Sequence, residues 1–449
     1  MAESFKLAKL PALPLTFASP QGPVELQSVL RFLPGKRLVG KAQFQTRPVL
    51  LKLMTDNRQG RRILAKEQVG HQLMLSANLR LPAIELLSEN TQGLLAIAYH
   101  WLPDARAFNE ADLQQPEYCQ QLLELMADLH QAGLTHEDLH VDNLLISAEK
   151  LYLVDYAAVK QLAEKPLGET ASLNNLALLI VQFTDAGQQH LKDKFADYCA
   201  LRNWPLTEKL SMQLEKAVKK AWRKRQRAYL KKCFRDCTMT AYHHSFRMEY
   251  AFRREFLNAV GTDFIDQLDR LIADGELLKD GNSATVAKVI LDGQMLVIKR
   301  YNLKSFWHFL KRCGRPSRAA NAWRFGRLLE LIGLPTPKVL GFVEKRSGYF
   351  RKEAYLITEW SAAEELSKRF PDLSPTGDVA TQIESIFSLL AKYQLQHGDL
   401  KASNLLIDKN DCVQLIDLDA MRQIGSANKF AEMHKFDKHR FKINWHLEV

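Results

Sequence analysis

The chain carries one short constellation of polar residues twice. The first copy is His136-Glu137-Asp138-Leu139-His140-Val141-Asp142-Asn143, followed by Asp155 twelve positions beyond the asparagine. The second is His397-Gly398-Asp399-Leu400-Lys401-Ala402-Ser403-Asn404, followed by Asp417 thirteen positions beyond it. A Leu-Leu-Ile run stands between amide and final carboxylate in both copies and predicts a short strand there. The two motif aspartates, Asp138 and Asp399, are 261 positions apart, so the repeated unit is domain-sized and not a solenoid repeat. At 449 residues the chain has room for two such units.

The order of elements repeats as well. Residues 24–57 read as short strands around a Pro34-Gly35 turn, and 61–77 as a helix. Strand returns from Pro82 through Leu94–Tyr99, and Pro116–Ala132 is a helix closing on Gly133, just before the first motif. Residues 170–260 read as helical, with a long basic helix in their middle, and a domain boundary is expected near Gly261. The second unit has strands through Leu296–Lys299, a helix over Arg318–Ile332 ended by Gly333, and strand again at Tyr355–Glu359. The expected division is an N-terminal segment 1–23, a first domain 24–260 with a basic helical lobe over 187–260, and a second domain 261–449 with a short helical lobe. Each domain is α+β, with a small β-rich lobe followed by a helical one.

Phosphoryl transfer to a hydroxyl needs few groups, and both copies supply them. A loop aspartate accepts the hydroxyl proton, and Asp138 and Asp399 fit. An asparagine about five positions on and a strand-borne aspartate suit the magnesium of a nucleotide: Asn143 with Asp155, and Asn404 with Asp417. A strand ammonium holds the donor's phosphates, and Lys52 in Val-Leu-Leu-Lys and Lys299 in Leu-Val-Ile-Lys are the candidates. Glu67, fifteen residues beyond Lys52, is placed to steer it from the following helix. The matching helix of the second unit reads Ala319-Ala320-Asn321-Ala322-Trp323 and offers no carboxylate there. Neither unit has a G-x-G-x-x-G loop over the phosphates. Gly281-Asn282-Ser283 can offer backbone N–H groups and a hydroxyl, and the first unit has only Gly35 and Gly40 with Lys36 and Arg37.

Composition narrows the partners. The net charge is +11, with cations gathered in Lys216–Arg235 and Lys299–Arg327, which implies an anionic partner such as a phosphorylated substrate or an acidic membrane surface. The bland alternative is a solvated helix face. No stacking aromatics alternate with the basic helix, so no specific nucleic-acid module is expected. No apolar run approaches the roughly 20 residues that span a bilayer. Lys6, Lys9, Pro11, Pro14 and Pro20 break up the N-terminus, and a cytoplasmic protein is expected. Cys233 and Cys237 lie one helical turn apart, yet no second Cys or His pair completes a metal site, so reduced thiols are expected.

The motif His397–Asn404 with Asp417-Leu418-Asp419, supported by Lys299-Arg300-Tyr301-Asn302 and Gly333-Leu334-Pro335-Thr336-Pro337, resembles the bacterial lipopolysaccharide core kinases. These are the heptose and Kdo kinases of the protein-kinase-like superfamily. The first unit looks like a diverged relative through His136–Asn143. The resemblance implies two tandem protein-kinase-like bilobal domains, ATP and Mg2+ as cofactors, and a sugar hydroxyl of the inner core as acceptor. It also implies lipopolysaccharide core oligosaccharide or a lipid-linked precursor as partner, met peripherally at the cytoplasmic face of the inner membrane. Other readings are an atypical protein kinase, a small-molecule kinase, or a protein with one pseudokinase lobe serving as scaffold.

Overall fold

The computed structural model describes residues 7, 10–91, 93–164, 166–302, 316–348, 350–371 and 374–443. Lys304, Lys311, Arg312 and Arg315 of the second basic cluster lie outside the described residues, as do Cys313, Lys6 and Lys9. The chain divides into two compact units, Met1–Arg223 and Lys224–Val449.

The first unit opens with strands β1 (Leu15–Ser19), β2 (Gly22–Leu33), β3 (Arg37–Phe44) and β4 (Arg47–Thr55), then helix α1 (Arg58–Ser76), then β5 (Ile84–Thr91) and β6 (Leu94–His100). They form one antiparallel sheet in the order β1-β2-β3-β4-β6-β5. Side chains alternate between the two faces of a strand. In β4, Val49, Leu51 and Leu53 therefore enter a core with Val24, Leu26, Leu38 and Ala96, while Lys52 emerges on the opposite face. Helix α1 starts at Asn57, whose side chain accepts from the Gly60 N–H at 2.8 Å. A helical part follows: α2 (Pro116–Gln131), the short strands β7 (Leu144–Ser147) and β8 (Lys150–Leu153), α3 (Glu169–Ile180), α4 (Asp185–Asp193), α5 (Phe195–Leu201) and α6 (Glu208–Lys232), whose residues from Lys224 onward belong to the second unit. The stretch read as helical is interrupted by a turn at Lys194, between α4 and α5.

The second unit is built on a seven-stranded antiparallel sheet. Its strands are β9 (Thr240–His244), β10 (Met248–Arg253), β11 (Glu276–Gly281), β12 (Ala284–Leu291), β13 (Gln294–Tyr301), β14 (Val339–Ser347) and β15 (Phe350–Glu359), in the order β9-β10-β14-β15-β13-β12-β11. The boundary expected near Gly261 thus moves. Residues 240–253, read as helical, are strands, and β10 pairs with β14 from Met248↔Lys345 to Phe252↔Gly341. Thr240, Tyr242, Tyr250 and Phe252 suit a pleated, half-buried surface, and the tertiary pairing decides their state.

One face of this sheet buries Phe252, Leu296, Ile298 and Ile357 under Phe256, Phe264 and Leu268. The other packs Val339, Phe342 and Ala354 against helix α7 (Arg318–Ile332) through Ala319, Ala320 and Trp323. The Trp323 indole donates to the Cys233 carbonyl at 3.0 Å. Beyond the sheet lie α8 (Gly377–Lys392), β16 (Leu405–Ile407), β17 (Val413–Leu415) and α9 (Ala427–Lys442). Both Leu-Leu-Ile runs form the expected strands, each paired antiparallel with the next: β7 with β8, and β16 with β17.

Candidate active site

In the first unit the expected lysine–glutamate pair forms. Lys52 Nζ lies 2.6 Å from Glu67 Oε1, and Tyr99 donates its hydroxyl to Glu67 Oε2 at 2.8 Å. Glu67 is buried, so these two partners compensate the cost of a carboxylate out of water. Burial beside Glu67 drives the Tyr99 hydroxyl far above its ordinary pKa, which keeps it a donor. Gly70 sets the position of α1. A Cβ there would come within 1.9 Å of the Tyr156 carbonyl, so only glycine lets the helix rest on the turn that follows Asp155.

The motif loop is fixed from behind. His136 is buried and its Nε2 sits 3.1 Å from the Asp155 carbonyl, tying the loop to the final aspartate; burial holds the imidazole below its usual pKa. Asn143 Nδ2 donates to the Asp138 carbonyl at 2.9 Å. Asn175 on α3 donates to the His136 carbonyl at 2.8 Å and takes the His136 N–H at 3.3 Å. The same Asn175 oxygen lies 3.1 Å from His130 Nε2, and Tyr198 Oη is 2.7 Å from His130 Nδ1. His130 is fully buried, and desolvation lowers its pKa to about 4.

The second unit repeats this plan with different chemistry. His397 is buried with Nε2 2.9 Å from the Ile416 carbonyl, and burial lowers its pKa too. Asn404 Nδ2 donates to the Asp399 carbonyl at 2.7 Å. Asp417 and Asp155 both adopt the left-handed backbone, at φ 63° and 68°. Asp437 on α9 does the work of Asn175: its carboxylate accepts from His397 N–H at 2.8 Å and Gly398 N–H at 3.1 Å. Desolvation raises the Asp437 pKa against those two hydrogen bonds. Gly398 has φ 85°, a conformation that excludes ordinary side chains, whereas Glu137 stands at the same place in the first loop.

Lys299 takes its carboxylates from the segment after β17 and not from the helix. Its Nζ lies 2.5 Å from Asp417 Oδ1 and 3.1 Å from Asp419 Oδ2. Burial would raise the Asp417 pKa, but the Lys299 charge and hydrogen bond prevail and hold it low. Helix α7 contributes cationic and neutral groups instead. Arg318 reaches Asp419 Oδ2 at 2.8 Å, and the Asn321 amide donates to the carbonyls of Asp419 and Met421, each at 3.0 Å. Asp399 has cations on both oxygens: Arg440 of α9 at 2.6 Å from Oδ1 and Lys401 at 3.7 Å from Oδ2.

The β11–β12 turn holds Gly281, Asn282 and Ser283, with Gly281 opposite Ala284. Asn302 braces it, donating to the Gly281 carbonyl at 3.1 Å from its side chain and to the Ser283 carbonyl at 3.2 Å from its backbone. In the first unit Gly35 does occupy the β2–β3 turn, but Gly40 lies within β3, paired between Val29 and Leu51.

Asp417 with Asn404, and Asp155 with Asn143, are oxygen donors suited to a hard divalent cation that shares nucleotide phosphates. In both asparagines the amide nitrogen is committed to the loop carbonyl, which leaves Oδ1 as the acceptor. No group of three or more His, Cys, Asp or Glu among the described residues forms a metal cage. Sequence reasoning missed Asn175, Asp437, Asp419, Arg318 and Arg440. Asp419 was visible in Asp417-Leu418-Asp419; the others sit in helices where only the fold reveals what they face.

The second unit's equipment is that of a phosphotransferase. Residues 284–446, which lie within that unit, match the model of the lipopolysaccharide kinase (Kdo/WaaP) family, and it is to this family that the second unit is similar. No curated protein matches the chain. Among solved structures, one titled the structure of vaccinia related kinase 3 is similar at 12% identity, covering 48% of this chain and 87% of that one, with a TM-score of 0.30.

Proposed function

We propose that the chain is an ATP-dependent kinase of a sugar hydroxyl in the lipopolysaccharide inner core, on heptose or Kdo, and that its second unit carries the reaction. The observation behind this is the set Lys299, Asp399, Asn404 and Asp417, held in one unit by the contacts above and lying inside the family match. Asp399 takes the acceptor's hydroxyl proton. The acceptor oxygen bonds to the transferred phosphorus as that atom's bond to the departing diphosphate breaks. Lys299 leaves its carboxylates for the donor's phosphates, and the Gly281–Ser283 turn covers them with backbone N–H groups. Asn404 and Asp417 would hold Mg2+, which neutralises charge on the phosphates when bound.

Both units are read as bilobal, kinase-like domains in tandem. The intact Lys52–Glu67 pair favours a nucleotide site retained in the first unit, with Asn143 and Asp155 for its magnesium, while Asp138 does not carry the core reaction.

Helix α6 supports peripheral association with an anionic inner-membrane surface from the cytoplasmic side. Lys216, Lys220, Lys224, Arg227 and Lys231 are exposed at spacings of three and four, one stripe of charge along the helix. No described helix is long and apolar enough to cross a membrane. The test is mass spectrometry of the core from cells with and without this protein. The reading expects a core short of one phosphate in its absence, and an unchanged core would refute it.

A further inference from the structure

Asp399, the proposed proton acceptor, stands with its two carboxylate oxygens facing two cations. Arg440 Nη2 lies 2.6 Å from Oδ1, the shorter of the two contacts, and comes from α9 rather than from the motif. Three residues earlier on α9, Asp437 grips the backbone N–H groups of His397 and Gly398. Residues three apart share a helix face. The face that anchors the loop therefore also delivers Arg440 to the carboxylate. Arg440 is an exposed residue, and so are Lys435, Lys438, His439 and Lys442 around it.

The first unit has no such arrangement. Asn175 anchors its loop, Leu178 occupies the position three residues on, and among the described residues no cation pairs with Asp138. An arginine on the proton-accepting oxygen is an obstacle for a neutral acceptor, because the hydroxyl must reach that same atom. It becomes an asset when the acceptor brings its own anion. A guanidinium exchanges one carboxylate for another, or for a phosphate, with little loss, since its fork suits both.

We propose that Arg440 is the acceptor-recognition residue of the second unit, a latch that selects acceptors with a carboxylate or phosphate next to the reacting hydroxyl. Without acceptor, Arg440 holds Asp399. The acceptor's anion draws the guanidinium away and leaves Asp399 facing the hydroxyl. This inference rests on the reading of the second unit as a kinase and adds the charge class of its substrate.

The test is steady-state kinetics of the full chain with Mg-ATP and two probes, an inner-core oligosaccharide with its carboxylates intact and the same material carboxyl-reduced. Arg440→Ala should raise KM for the intact probe by about 30-fold, the order expected when a charge-assisted hydrogen bond is lost. Its kcat should stay within about threefold, and Arg440→Lys should recover part of the loss. With the reduced probe, Arg440→Ala should be the better enzyme, with a higher kcat/KM than wild type, because the obstacle on Asp399 is gone and no anion is there to be recognised. Thermal melting of the same variants separates a loss of fold from a loss of recognition. Equal effects of Arg440→Ala on both probes would overturn the latch while leaving the kinase reading intact. Transfer to neither probe by the wild type would remove the kinase reading and the latch with it.

Discussion

The two units answer the same structural demand with different groups. Behind the first motif loop stands a neutral amide, Asn175; behind the second stands a carboxylate, Asp437, and both hold the backbone of the motif histidine. The strand lysines both pair with carboxylates but draw them from different elements. Lys52 takes a buried carboxylate from helix α1, whereas Lys299 takes two from the segment after β17, and α7 sends Arg318 and Asn321 to that segment. A missing helix carboxylate is therefore no sign of a broken site. The charge balance around Lys299 is kept by exchanging which element supplies the anion.

Asp437→Ala should have the largest effect, because it leaves two loop N–H groups without their acceptor. We expect activity to fall by at least about 100-fold and stability by about 1–3 kcal/mol, read by transfer assay and denaturant melts. Asp437→Asn should fall between wild type and Asp437→Ala, since its one amide oxygen can keep the His397 N–H, as Asn175 keeps that of His136, while its NH2 cannot accept from Gly398. An asparagine variant as damaged as the alanine one would break the equivalence.

Lys299→Ala should abolish Mg-ATP binding in the second unit. Calorimetry should then show any remaining site removed by Lys52→Ala, and unchanged binding in Lys299→Ala would deny Lys299 its role. Glu67→Gln should act mainly on stability. It removes the charge that compensates Lys52 and disturbs the Tyr99 contact, for a loss of about 1–3 kcal/mol in denaturant melts.

The smallest effect concerns pH. His130 has a folded pKa of about 4, below the 6.5 of an unfolded histidine, so the unfolded chain binds the extra proton first. Its neutral burial contributes fully above about pH 6.5, and that contribution is lost as pH falls toward 4. Melts of wild type and His130→Gln between pH 7 and 4.5 should converge as the pH drops. Parallel curves would show that His130 does not titrate with folding.

Much of this was legible in the residues because the motif positions are local. His, Asp, Asn and the final Asp lie within about twenty residues, joined by a short apolar run that could only be a strand. Lys52 and Glu67 were legible together because one strand and the next helix bring them into contact. Lys299 with Asp419, and Asp437 with His397, were not, since their partners are 120 and 40 positions away. The domain boundary differs for the same reason: β10 joins the second sheet by pairing with β14, far along the chain, and brings β9 with it.

The most direct test of the account is phosphoryl transfer from Mg-ATP to inner-core oligosaccharide by two variants of the full chain, Asp399→Asn and Asp138→Asn. The account predicts that Asp399→Asn lowers turnover by about 100- to 10,000-fold, the range for a lost general base, while Asp138→Asn stays within about threefold of wild type. Turnover that survives Asp399→Asn and disappears in Asp138→Asn would contradict it and place the reaction in the first unit.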